Sequence, residues 1–232
     1  MRLLSVRQDI VDPMPGNCSS ASEPSEVLPA PGMRRVVVDT QSSGIVRDLA
    51  SLRRDIQMAS AFLNFYLASD IENESTHSAQ IDALWIAAVT MYGRAFATGK
   101  RHLARVDISN LNARDTESHH YFIDLRNKYI AHSVNGFETS VVFADITNSV
   151  VAPPAIAQVG EVHESLSRIS RERAETLDRL CRHHMDLLTR QIEDLHLKIA
   201  QELKSLGHKA VYAFDSYKPA TLDGTNPRSK RR

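Results

Sequence analysis

The chain has 232 residues, of which 42% are hydrophobic, enough for one domain of ordinary size with ends to spare. Lys plus Arg and Asp plus Glu both total 28, so no net charge draws the whole molecule toward nucleic acid or an anionic membrane. The two cysteines, Cys18 and Cys181, lie far apart and have no metal-type spacing, which points to a reduced, cytoplasmic setting. No apolar run approaches the ~20 residues of a membrane span. The opening MRLLSVRQDIVD lacks the apolar region of a signal peptide.

Residues 1–43 read as a disordered arm. Their segment PMPGNCSSASEPSEVLPAPG is too rich in Pro, Ser and Gly to offset the entropy of ordering. Within the arm, RRVVVD (34–39) has the β-branched texture of a short strand. From Gly44, residues Ile45, Leu49, Leu52, Ile56, Ala59, Leu63 and Tyr66 recur at steps of four and three, which predicts an amphipathic helix fading at Ser69-Asp70. Asn73 to Thr76 offers N-caps for a second helix over 76–98. Its middle, ALWIAAV, is apolar on nearly every side, and Gly99 suits its C-cap. Arg94, near that helix end, reads as a surface or capping arginine.

Residues 100–113 form a connector, after which Asn112 or Asp115 can cap a third helix with Phe122, Leu125 and Tyr129 as its stripe. This helix is expected to fail at Asn135-Gly136. Glu138 to Thr147 (ETSVVFADIT), then Val150 to Ala152 before Pro153-Pro154, predict a small β-hairpin over about 138–154. From Val162 to Leu206 there is no Pro or Gly. A helical stripe runs from Leu166 to Leu206, and Gly207 is expected to end it. At about 1.5 Å per residue such a helix reaches roughly 67 Å, so part of it is expected to overhang the others and to need a partner. The remainder, 208–232, reads as a polar tail with a basic end, RSKRR. The expected fold is all-α: an up-and-down helical bundle over 44–207, with a β-hairpin insertion and a long C-terminal helix.

Functional interest centres on HHYFIDLRNKYIAHSVNGF (119–137). Arg126, Asn127 and His132 fall within about two helical turns. A permanently charged planar fork, an amide and a titratable imidazole make up a kit for handling a phosphodiester. On an α-helical wheel with Leu125 at zero, His132 lies near ~−20°, on the apolar stripe, and Arg126 near ~100°, at its edge. The two are therefore not neighbours on one face. By spacing alone His132 reads as a core or interface histidine, and Arg126 could pair with Glu138 or another carboxylate. His119-His120 and His183-His184 are adjacent pairs that diverge by about 100° and chelate poorly. No zinc or di-metal spacing, phosphate loop or nucleophile elbow is present, so neither metal nor cofactor is expected.

The run RNKYIAH (126–132), late in the third helix of an expected bundle, resembles the R-x(4–6)-H signature of the HEPN superfamily. It is closest to HEPN-like abortive-infection and toxin proteins. The resemblance covers about residues 44–206. It implies a metal-independent endoribonuclease, a homodimer with both motifs lining one cleft, and a role as a toxin or phage-defence effector with room for an antitoxin or defence partner. By the same resemblance Arg126 would hold the scissile phosphate and Asn127 would orient Arg126 or His132. His132 would transfer a proton at the ribose 2′-hydroxyl or the leaving oxygen. Some family toxins carry a tyrosine two residues after the motif histidine, where a partner nucleotidyltransferase modifies it. Here Ser133-Val134 follow instead, so that chemistry is not implied. Other members have lost activity, which leaves a non-catalytic HEPN-like interaction or assembly module as the alternative. A nucleotide-binding regulator is weaker, because no base-recognition feature is visible.

Overall fold

A computed structural model describes residues 32–71, 79–97, 101–132, 136–147, 153, 155–166 and 168–219. The described residues are mostly helical, with four α-helices, a π-helical segment and one two-stranded antiparallel sheet among them. The chain divides into two units, one of Val38–Phe214 and one combining Met1–Val37 with Asp215–Arg232. In the second, Val36 bridges Ser216 and Arg35 lies over the Tyr217 ring at 5.7 Å. The strand-like texture of 34–39 thus becomes a single antiparallel bridge. The disorder expected of the arm concerns mainly residues 1–31, which lie outside the described residues.

Helix α1 (Gln41–Ala68) begins three residues before the expected Gly44. Its start is fixed by a capping box, in which Thr40 Oγ1 accepts from Ser43 N and Thr40 N donates to Ser43 Oγ at 2.9 Å. It stops at Ser69, as its fading stripe predicts. Helix α2 (Ala79–Phe96) places Trp85, Ala88, Val89 and Tyr92 fully inside the core, where Tyr66 and Phe122 join them. The caps expected at 73–76 and Gly99 lie outside the described residues. Helix α3 (Ala113–Asp124) is capped by Asn112, whose side chain accepts from Asp115 N at 2.9 Å.

Strands β1 (Glu138–Ile146) and β2 (Ile156–Ser165) pair antiparallel, with a bulge at Asp145/Ile146. The hairpin is longer than the 138–154 expected. Residues 156–165, which include the expected start of the last helix, are its second strand, and Pro153 lies in the connection. β-Branched Ile156, Val159 and Val162 with Gly160 explain the preference. Gly160 sits under Phe143, whose Cζ would be 2.7 Å from a Cβ there.

Helix α4 (Arg171–Tyr212) starts nine residues later than expected, at N-cap Ser170. Leu166 and Ile169 precede it. Gly207 does not end the helix but breaks it: at φ 78° it is non-helical, and helical turns resume to Tyr212. α4 runs antiparallel along α1. Arg171 Nη1 donates to Leu67 O at 3.1 Å, Ser60 Oγ to Asp178 at 2.6 Å, Arg53 Nη1 to Thr189 at 3.3 Å and Ser42 Oγ to Glu202 at 2.5 Å. These ties follow α4 from its first residue to within five residues of Gly207. The expected overhang therefore shrinks to little more than the last turns. The difference is physical: residues up to Ser165 belong to β2 rather than to α4, and α1 starts at Gln41. No helix among the described residues is long and apolar enough to cross a membrane.

Two histidines turn out to be core residues. His119 and His184, one from each adjacent pair, are 4% and 0% exposed and pack around Tyr92 and Phe96. The Tyr92 hydroxyl and His119 Nδ1 share a hydrogen bond of 2.8 Å. Both ring nitrogens of His184 are buried with no hydrogen-bond partner among the described residues. Burial, reinforced by His120, lowers the His119 pKa to about 4. Burial, reinforced by His183 and His119 and opposed by Asp107, lowers that of His184 to about 4. The unfolded chain therefore binds protons from about pH 6.5 downward, whereas the fold resists them until about pH 4. Stability is expected to be flat above pH 7 and to fall as pH drops through 6.5 toward 4. Thermal denaturation should show Tm falling over that window and a shallower fall in His184→Leu; a Tm independent of pH from 7 to 4.5 would contradict it.

Candidate functional site

After Asp124 the third helix changes its hydrogen-bond spacing. Leu125–Ile130 is π-helical, and Ala131 N donates to Arg126 O at 2.9 Å across a five-residue step. Such single π turns are rare and occur often at functional sites. Three contacts made by Tyr129 hold this one in place. Its ring stacks on Trp85 at 6.1 Å, its hydroxyl donates to Leu166 O at 2.9 Å, and its edge meets Phe137 at 6.0 Å. Leu166 N in turn donates to Phe137 O at 2.8 Å. The motif segment and the base of the hairpin thus share one anchor.

The π turn corrects the wheel. One extra residue in a helix rotates everything beyond it by about 100°. His132 lies two residues past the end of the π turn at Ile130, off the wheel altogether, and it is exposed rather than buried. The helix also ends sooner than Asn135-Gly136, at Ile130. Leu125 is 2% exposed and Phe122 fully buried, so the stripe before the π turn is as expected.

Arg126 is half-buried and Asn127 exposed. Arg126 Nη1 donates to Asn127 Oδ1 at 2.8 Å. Neither Glu138 nor any other carboxylate pairs with Arg126 among the described residues. The neighbouring cation is engaged: Lys128 Nζ lies 2.9 Å from Asp124, one turn back. Arg94, in the last turn of α2, is also committed. It lies 3.2 Å from the buried carboxylate of Asp55, which Arg101 holds at 2.5 Å. Arg126 is thus distinguished among these cations by pairing with a neutral amide. The structure brings Arg126 and Asn127 together. His132 makes no hydrogen bond to either among the described residues.

Gly93 was not visible as a site residue in the sequence. It is buried in α2 against the stem of Arg126, and a Cβ there would lie 2.9 Å from Arg126 Cγ. The only local signal was a glycine inside a helix that otherwise has strong apolar formers. Among the described residues no group of three or more His, Cys, Asp or Glu side chains could hold a metal ion. In comparisons with known proteins, no family model, no curated protein and no solved structure matches this chain.

Proposed function

We propose that the protein is a metal-independent endoribonuclease of HEPN type, acting as a toxin or phage-defence effector, with Arg126, Asn127 and His132 as its catalytic residues. The observation that carries this reading is Arg126: a half-buried side chain whose guanidinium makes an exposed hydrogen bond to Asn127 Oδ1 at 2.8 Å and has no carboxylate partner among the described residues. An arginine whose stem is fixed by packing is usually matched at its fork by carboxylate oxygens. One left to an amide is available to a phosphate, whose oxygens its fork matches in pairs.

In the proposed reaction the ribose 2′-oxygen attacks the adjacent phosphorus and the 5′-oxygen of the next nucleotide leaves. One strand then ends in a 2′,3′-cyclic phosphate and the other in a 5′-hydroxyl. Arg126 stabilises charge developing on the phosphoryl oxygens. The exposed imidazole of His132 moves a proton at the 2′-hydroxyl or the leaving oxygen. DNA lacks the attacking group and would be left intact.

Arg126 and His132 of one chain share no hydrogen bond among the described residues, which fits a site assembled by two copies, with Arg126 of one and His132 of the other at the same phosphate. The up-and-down bundle expected of this family is part of the same reading. The hairpin strands carry Glu138, Asp145, Glu161 and Glu164 and no Lys or Arg, so the RNA path is expected to avoid them. The alternative, a non-catalytic HEPN-like interaction module, draws on the same lack of a hydrogen bond between His132 and Arg126 among the described residues.

Incubation of the purified protein with a panel of RNAs that includes tRNA, in EDTA, separates the two. The enzyme reading expects cleavage by wild type and its loss in His132→Ala with the oligomeric state unchanged. No cleavage across the panel would leave the interaction module. A mixture of Arg126→Ala and His132→Ala chains should recover part of the activity if two copies share one site.

A further inference from the structure

We propose that Gly93 is a positioning residue for Arg126, so that the surface of α2 at this point aims the guanidinium; this rests on the reading of Arg126 as the phosphate-binding cation. Gly93 lies inside α2, three residues before its end, and its backbone does not have the positive φ that would call for glycine. Glycine within a helix is destabilising relative to alanine. The reason for it here is the neighbour. A Cβ at 93 would stand 2.9 Å from Arg126 Cγ, 3.2 Å from Cδ and 3.3 Å from Cβ. These atoms are the root of the arginine side chain rather than its flexible end, so a methyl group at 93 cannot be relieved by moving the guanidinium alone.

The adjacent residues of α2 cannot yield either. Tyr92 is fully buried and hydrogen-bonded to His119, and Arg94 is paired with Asp55. Arg126 therefore has two supports, the flat of α2 beneath its stem and Asn127 Oδ1 at its fork. Together they remove most of the rotamer freedom that a long arginine would otherwise lose on binding a phosphate.

The test combines stability, spectroscopy and activity in Gly93→Ala, made both in wild type and in Arg126→Ala. Helix propensity alone would raise Tm in both backgrounds. Close packing on Arg126 instead lowers Tm in wild type and raises it once the Arg126 side chain is gone. The Arg126 Nε–Hε NMR resonance, assigned by its disappearance in Arg126→Ala, is expected to shift in Gly93→Ala. Cleavage is expected to fall at least tenfold in kcat with KM changed less. Equal Tm changes in the two backgrounds, or an unmoved Nε–Hε resonance, would overturn the proposal. So would unchanged cleavage in Gly93→Ala of an active protein. Were wild type itself inactive on RNA, the enzyme reading would fail separately, and the Tm coupling and the resonance would still decide whether Gly93 sets Arg126.

Discussion

Replacing Arg126 with alanine is expected to reduce RNA cleavage by about 10²- to 10³-fold, the usual cost of removing a preorganised donor to a developing oxyanion. The loss should appear in kcat under saturating RNA, because the guanidinium acts most strongly on charge that grows toward the transition state. The fold should survive. Arg126 is only half-buried, and its polar contact among the described residues is one hydrogen bond to Asn127, so stability should change by about 1 kcal/mol or less. Arg126→Lys keeps the charge but not the fork and should recover only a fraction of the rate. Single-turnover cleavage with a thermal melt of each variant checks both halves. Full activity in Arg126→Ala would remove Arg126 from the chemistry.

The largest effect on stability is expected at Asp55. Its carboxylate is 2% exposed and holds Arg101 Nη1 at 2.5 Å and Arg94 Nε at 3.2 Å. Arg101 Nη2 also donates to the carbonyl of Arg94 at 2.6 Å, so one carboxylate ties α1, the end of α2 and the connector together. Asp48 repeats the device nearby, accepting from Leu103 N at 3.2 Å. Asp55→Ala leaves the Arg101 side chain, only 13% exposed, as a desolvated cation without its counter-charge. Breaking a buried pair from one side costs about 3–5 kcal/mol. For a chain of this size that lowers Tm by roughly 10 °C. Asp55→Asn keeps the shape and one acceptor and should lose less. Urea denaturation should show the midpoint falling with the slope unchanged. An unfolding free energy within about 1 kcal/mol of wild type would mean that the Arg94–Asp55–Arg101 cluster is not a stabilising tie.

The helices were legible where their apolar period was long. The stripe from Ile45 to Tyr66 required burial on one helical face, and it is buried from Leu49 onward, whereas in the run ALWIAAV of α2 Trp85, Ala88 and Val89 are buried, Leu84, Ile86 and Ala87 partly so, and Ala83 is exposed. A cap for α3 at Asn112 or Asp115 was legible from their short polar side chains, and the fold uses Asn112. The last helix was harder. Leu166 and Ile169 keep helical spacing with Leu177 and Leu180, but Val159-Gly160-Glu161-Val162 pairs with Val141 to Ala144 instead. A cross-strand partner about twenty residues away outweighs local periodicity there, and periodicity carries no information about it.

The candidate site divides in the same way. Residue types and spacing singled out Arg126, Asn127 and His132, and the Arg126–Asn127 contact is the kind that adjacent positions permit. The exposure of His132 was not legible, since the wheel assumed 3.6 residues per turn throughout and a π turn has no simple sequence signature. Gly93 was hidden for another reason. Its significance depends on which helix lies against it, which is a tertiary fact. His119 and His184 looked alike with their neighbours in sequence, and only packing separates the buried member of each pair from the other.

The central claim is a chemical one, that this chain cuts RNA by 2′-hydroxyl attack without a metal. Mapping the ends produced by wild-type protein on tRNA in EDTA tests it most directly. The expected result is a 2′,3′-cyclic phosphate on one fragment and a 5′-hydroxyl on the other, with no cut where the scissile nucleotide is 2′-deoxy. Ends bearing 3′-hydroxyl and 5′-phosphate, cleavage abolished by EDTA, or an intact tRNA would contradict it.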